Sequence, residues 1–141
     1  MPRDDTPSTK PLLDKLGVKR GQRISLIRMA DPRFAAQIAD RAGARPASRV
    51  RVDSDLIFFR AEQARDLERL PALVPFLSPD GALWVVRPKG VTRITEAEVM
   101  AAGLAAGLVD VKVVAFSLSH TAEKFVFRLA DRPKRPSVRR S

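Results

Sequence analysis

Few residue types in this chain could carry chemistry, and each is weighed against its neighbours. The 141 residues include no cysteine and a single histidine. That histidine, His120, stands with Ser117, Ser119 and Thr121, a group of hydroxyls and an imidazole such as hydrolytic chemistry uses. Four close neighbours in one turn cannot easily set a nucleophile, a base and an orienting acid around one substrate atom. They read as a polar turn, and no catalytic residue is assigned. Glu96 and Glu98 are two residues apart, so on a helix they point to different faces. A helix cap and the helix dipole explain them better than an acid and base pair. Without cysteine there is no disulfide framework and no thiolate metal site, and one imidazole makes a structural metal improbable.

A nucleotide-type cofactor asks for glycine after the first strand, where the backbone must come close, and for an acid after the second strand to bind ribose hydroxyls. Here the first loop is Arg28-Met29-Ala30-Asp31-Pro32. Ala30 permits some approach, Pro32 lacks an amide donor, and Asp31 puts a negative charge where a phosphate would lie. Adenosylmethionine has no phosphate, so this objection weighs more against dinucleotides. Asp53 or Asp55 could be the ribose acid, though both also fit as turn and strand-start residues. With Lys89, the cofactor-binding candidates are Ala30, Asp31, Asp53, Asp55 and Lys89. No resident cofactor is expected.

The formal net charge of +10 is unevenly placed. Residues 18–51 carry nine Lys or Arg against two Asp, and residues 131–141 carry five against one. Such segregation suggests a local field for an anionic partner. The anion or nucleic-acid candidates are Lys19, Arg20, Arg41, Arg45, Arg49 and Arg51, with Lys134, Arg135, Arg139 and Arg140 in the tail. Single-strand binding would also want exposed aromatics, and most of the eight here sit in runs that should be buried.

The elements that must position these residues follow from periodicity and punctuation. Residues 1–9 and 130–141 are polar, Pro-rich and charged, so disordered ends are expected around one folded domain over residues 10–129. Leu12, Leu13 and Leu16 before Gly17 read as a short helix, and Arg23 to Met29 as a strand covered on both faces. Asp31-Pro32 is an N-cap and first-turn pair, and Phe34, Ile38 and Ala42 keep one apolar face until Gly43, so a helix is predicted over Pro32 to Ala42. Arg49 to Val52 is a short strand candidate and Asp55 to Phe59 a further strand. From Ala61, Leu67, Leu70, Val74 and Leu77 recur at helical spacing, interrupted by Pro71 and Pro75. After the Asp80-Gly81 turn come the strand Ala82 to Val86 and the capping box Thr95-Glu96-Ala97-Glu98, which opens a helix ending at Gly107. Val111 to Ser117 and Lys124 to Leu129 flank a loop of hairpin length. The apolar stretch Val99 to Val109 is too short to span a membrane, and its Gly103 and Gly107 read as small residues packing against a sheet. No export signal is visible in Met1 to Lys10, so the cytoplasm is the expected location.

The expected fold is α/β, a small three-layer Rossmann-like sandwich with a mostly parallel sheet of five or six strands and an antiparallel C-terminal hairpin. Leu26, Phe58, Val85, Val113 and Val126 are expected to be buried. The order of elements resembles the Rossmann-like methyltransferase fold, with Asp55-Leu-Ile-Phe-Phe59 and Leu77 to Val86 similar to its fourth and fifth strands. Two strand and helix units of that fold have no counterpart between Met29 and Asp55. The chain also resembles a family of short bacterial proteins, the domain-of-unknown-function family 3052. The resemblance rests on Leu12-Leu-Asp-Lys-Leu-Gly-Val-Lys-Arg-Gly-Gln22, Pro71-Ala-Leu73, Asp80-Gly-Ala-Leu-Trp-Val85, Pro88-Lys89, Gly107-Leu-Val-Asp-Val-Lys-Val113 and Lys124-Phe-Val-Phe-Arg128. It implies the fold and no activity. Where the family pattern implies a longer Ser/Gly loop and a Trp-Ser-Gly-like turn, this chain has Gly90-Val-Thr and His120-Thr-Ala122.

The functional reading at this level is a binding or interaction module with a basic face, leaning away from an enzyme. Its partner would be an anionic protein, a small molecule or a nucleic acid, and not a membrane. One alternative is a reduced methyltransferase-like binder of adenosylmethionine or a nucleotide. Another is a nucleic-acid accessory protein held through the basic segment and tail.

Overall fold

A computed structural model describes residues 11–131. The expectations for the two ends, including Lys134, Arg135, Arg139 and Arg140, fall outside the described residues. In chain order the elements are α1 (Leu12–Lys15), β1 (Ile24–Ile27), α2 (Pro32–Ala42), β2 (Ser54–Arg60), a 3₁₀ stretch (Ala64–Arg69), α3 (Leu70–Leu73), a second 3₁₀ turn (Val74–Phe76), β3 (Leu77–Pro88), α4 (Glu96–Ala105), β4 (Leu108–Ala115), β5 (His120–Phe127) and a last turn (Leu129–Asp131). Among them no helix is long and apolar enough to cross a membrane.

The local signals explain most of these boundaries. The Asp31 side chain accepts a hydrogen bond from the Phe34 amide at 3.0 Å, Pro32 occupies the first turn, and Gly43 closes α2 at φ 85°. At α4, Thr95 Oγ1 accepts from the Glu98 amide while Glu98 accepts from the Thr95 amide, the reciprocal box that the sequence predicts. The prolines divide the helix expected after Ala61: Pro71 and Pro75 each sit in the first turn of a new short segment, where a missing amide costs nothing.

One sheet holds all five strands in the order β1-β2-β3-β5-β4. β1, β2 and β3 are parallel, β5 runs against β3, and β4 against β5, so four strands share one direction. The sheet separates two cores. On one face Phe34 and Ile38 of α2 cover Leu26, Phe58, Trp84 and Val86. On the other, Leu67, Leu70 and Leu73 with Val99 of α4 cover Ile57, Phe59, Leu83 and Val85. Phe58 stacks on Trp84 with centroids 6.4 Å apart, and Phe34 meets Phe58 edge-on at 5.4 Å.

The passage from β1 to β2 differs from the expected strand at Arg49 to Val52. Ala47 alone makes a parallel bridge to Ser25 on the outer edge of β1, its carbonyl accepting from Leu26 and its amide donating to Ile24. The chain then turns back to β2 at the start of the sheet, where the Arg51 amide donates to Ser25 Oγ at 3.1 Å. Crossover handedness explains the detour. The connections β2 to β3 and β3 to β4 lie on one face and α2 on the other, so a direct step from β1 to β2 would have the opposite hand. Going first to the outer edge keeps the same hand throughout.

The hairpin is tighter than predicted, with only residues 116–119 between β4 and β5. Val113 is also a correction, since it is 51% exposed. A register shift between Asp110 and Lys112 puts Lys112 opposite Lys124 and Val113 opposite Glu123. Val113 thereby falls in the row of Val85, beyond the cover of α4, while its neighbour Val114 takes the buried place. Leu26, Phe58 and Val85 are buried as expected and Val126 is half-buried.

Candidate functional site

Three parallel strands end at the same side of the sheet, and the β4–β5 turn joins them there. The end of β1 runs into Arg28, held at φ 62°, then Met29, Ala30 and Asp31. β2 ends at Arg60 and passes through Ala61 to Glu62. At the end of β3 the Lys89 amide donates to the Ser119 carbonyl at 2.9 Å, which fixes the turn against the strand. Between them lies a cavity of about 200 Å³ lined by Met29, Asp31, Arg60, Val86, Phe116, Ser117, Ser119 and His120. Open α/β sheets place ligands in the crevice outside the carboxyl ends of their strands.

Glu62 is the centre of the polar network at the rim. Its Oε2 accepts from Arg60 Nε at 2.5 Å and from His120 Nε2 at 2.9 Å, while Arg93 reaches Oε1 at 3.4 Å and the Glu62 carbonyl at 2.9 Å. Partial burial pushes the Glu62 carboxyl up, but the hydrogen bonds and charges of Arg60 and His120 outweigh it and bring it down to about 2. Asp66 fixes the turn from behind, its Oδ2 accepting from the Glu62 and Gln63 amides, with Arg28 at 3.6 Å. Burial pushes the Asp66 carboxyl up too, and those amides together with Arg28 and Arg65 bring it below its ordinary value. On the far side of the imidazole, Ser119 Oγ lies 2.7 Å from His120 Nδ1. With Nε2 facing a carboxylate that can only accept, the ring carries its proton there, and Nδ1 accepts from Ser119.

The structure brings together only some of the candidates named from sequence. Ala30, Asp31 and Lys89 belong to the carboxyl-end loops. Asp53 and Asp55 do not: they sit at the start of β2, at the other end of the sheet, where Asp55 accepts from the Arg23 amide at 2.8 Å and Asp53 is buried. The physical reason is the missing strand at Arg49 to Val52, which turned two residues expected after a strand into residues before one. The basic candidates gather at that same distant end. Arg41 pairs with Asp14, the Arg20 guanidinium lies against Gly43, and Lys19, Arg45, Arg49 and Arg51 are exposed on the adjoining loops. Glu62, Arg60 and Arg93 were missed from sequence. Glu62 reads there as the first turn of a helix, and its placement directly after the β2 apolar run is the available signal.

A second hollow, of about 400 Å³, lies between the Ala64–Arg69 stretch and α4, walled by Leu67, Pro71, Ala101, Ala102 and Ala105. Glu68 and Glu98 are its only charged wall residues, a third hollow beside Pro75 and Phe127 has no polar side chain in its wall, and the carboxyl-end cavity, which combines acid, base and hydroxyls, is the candidate site.

No family model matches the sequence, and no curated protein is similar to it. Solved structures are similar in fold. A SAM dependent methyltransferase from Aquifex aeolicus superposes with a TM-score of 0.64 at 14% identity, over 80% of this chain and 86% of that one. The fold is methyltransferase-like. Magnesium protoporphyrin IX methyltransferase from Synechocystis PCC 6803 with bound SAH gives 0.60 at 10% identity, over 82% and 78% of the two chains. Ribosomal protein L11 methylase from Lactobacillus delbrueckii subsp. bulgaricus gives 0.58 at 12%, over 82% and 75%. This overturns the leaning away from an enzyme, because the architecture matched again and again is one that enzymes use.

The Aquifex aeolicus protein is SAM dependent by name, which makes adenosylmethionine the ligand whose size is compared with the cavity. A pocket enclosing a whole drug-sized ligand has about 300–1,000 Å³. At about 200 Å³ this one has room for only part of such a ligand, and its wall carries one carboxylate, Asp31, and one guanidinium, Arg60. No ribose acid is supplied by Asp53 or Asp55.

Proposed function

We propose that the chain is a reduced methyltransferase-type protein that binds a ligand of the adenosylmethionine class by its amino-acid end at the carboxyl ends of β1, β2 and β3. The observation that carries this reading is the cavity itself, which places acidic, basic and apolar groups at the position where open α/β sheets take their ligands. When bound, such a group supplies an electrophilic methyl. The residues of the chain orient and enclose it: Asp31 faces a cation, Arg60 an anion, and Met29, Val86 and Phe116 give the apolar wall. The family resemblance noted from sequence belongs with this proposal and adds no activity to it.

Thermal unfolding with adenosylmethionine or adenosylhomocysteine tests it. Ligand at 100 times its dissociation constant stabilises the native state by about 2.7 kcal/mol, a rise of several degrees at this size. We expect that rise in the native chain and its loss in Arg60→Ala. No shift at millimolar ligand, or the same shift in Arg60→Ala, overturns the reading.

A further inference from the structure

We propose that Ser119 is an activated nucleophile, with His120 as its base and Glu62 as the group that orients the imidazole, and that it accepts the acyl group of a small carboxylic ester. This assignment goes beyond ligand binding and does not depend on adenosylmethionine. The objection raised by sequence, that one turn cannot supply all three roles, is answered by the fold. The acid comes from the end of β2, fifty-eight positions from the imidazole in the chain and 2.9 Å from it in space.

The geometry is a continuous relay. Ser119 Oγ is 2.7 Å from His120 Nδ1, and His120 Nε2 is 2.9 Å from Glu62 Oε2. The two ring nitrogens exchange the roles they take in the familiar serine hydrolase arrangement, because in a neutral imidazole either nitrogen can accept while the other carries the proton. Ser117 Oγ accepts from the Ser119 and His120 amides at 3.3 and 3.1 Å, so its own proton is directed to Ser119 Oγ at 3.3 Å. Arg60 holds the far side of Glu62, and the His120 side chain is only 15% exposed, so the imidazole has little freedom to turn away. Ser119, by contrast, is exposed at the cavity wall.

In the acylation step Ser119 Oγ forms a bond to the carbonyl carbon and its proton passes to His120 Nδ1. The imidazolium is stabilised by Glu62, and Arg60, which lines the same cavity, is the cationic donor for the developing oxyanion. The carbon–oxygen bond to the leaving group then breaks, and the leaving alkoxide takes the proton from Nδ1. Water, deprotonated at the same nitrogen, returns the serine by the reverse sequence, giving a carboxylic acid and an alcohol.

A fluorophosphonate tests this on the purified full chain. Ser119 Oγ would bond to phosphorus, fluoride would leave and the proton would go to His120, giving a stable adduct. Intact mass and peptide mapping should show one label per chain, on Ser119, absent from Ser119→Ala and retained in Ser48→Ala, an exposed serine outside the cavity. Loss of the base in His120→Gln should slow labelling about 100-fold or more, and Glu62→Gln should slow it at least about tenfold. Circular dichroism establishes that each variant is folded; if His120→Gln is not, Glu62→Gln decides. No label on the native chain, label spread over other serines, or a folded His120→Gln or Glu62→Gln that reacts at the native rate would each overturn the assignment.

Discussion

Glu62 is the residue on which the site depends, and its acid titration shows that dependence. Its folded value of about 2 lies below the ordinary 4.5, so its contribution to stability is complete above about pH 4.5 and is lost as the pH falls through about 2. Because the side chain is partly exposed, solvent screening reduces the effect to the order of 1 kcal/mol. Comparing urea unfolding at pH 6 and pH 3, the native chain should lose more stability than Glu62→Gln does. Equal losses would mean that the carboxylate is not held by Arg60 and His120. Glu123 has the opposite sign. Burial raises its carboxyl despite the Arg87 guanidinium at 2.9 Å, so its share of the stability falls as the pH rises past its ordinary value. Cutting that buried pair by Arg87→Met should cost about 3–5 kcal/mol, whereas Arg87→Met with Glu123→Leu should cost much less, because no charge remains buried alone. None of these partners was legible in the sequence. Glu62 and His120, like Arg87 and Glu123, lie on different elements, and only the strand register brings them into contact.

At the scale of elements, close contact decides more than propensity. Gly103 of α4 lies over the Phe125 ring so closely that a Cβ there would come within 2.2 Å of it. Gly103→Ala gains at most about 1 kcal/mol of helix propensity and meets an overpacking cost of about 1–3 kcal/mol, with a fully buried ring that has no room to yield. A melting temperature lower by a few degrees is expected. An unchanged or higher value would show that α4 stands further from β5. This is also where the sequence was most readable. The caps at Asp31 and Thr95, the glycine stop at Gly43 and the consecutive apolar run of β2 are local signals, and each marks the element it predicts. Asp31→Ala should therefore cost about 0.5–2 kcal/mol in a chemical unfolding experiment through the lost cap alone. The misreadings at Arg49 to Val52 and Val113 share one cause. A detour that preserves crossover hand and a shift of register are set by the whole sheet, and neither leaves a mark on the residues concerned.

For the whole molecule, the two ends of the sheet divide the chemistry. The carboxyl end carries the mixed-charge cavity, and the other end carries the exposed Lys19, Arg20, Arg45, Arg49 and Arg51. Uneven charge was visible in the sequence as a segment, but its position opposite the cavity follows from which loops the fold brings together. The ligand proposed above belongs at the carboxyl end. Titrating the isotopically labelled full chain with adenosylmethionine and following backbone amide resonances tests that placement most directly. Shifts confined to Met29 to Asp31, Arg60 to Gln63 and Phe116 to His120 are expected. No shift at millimolar ligand, or shifts centred on Lys19, Arg20 and Arg49, would contradict it.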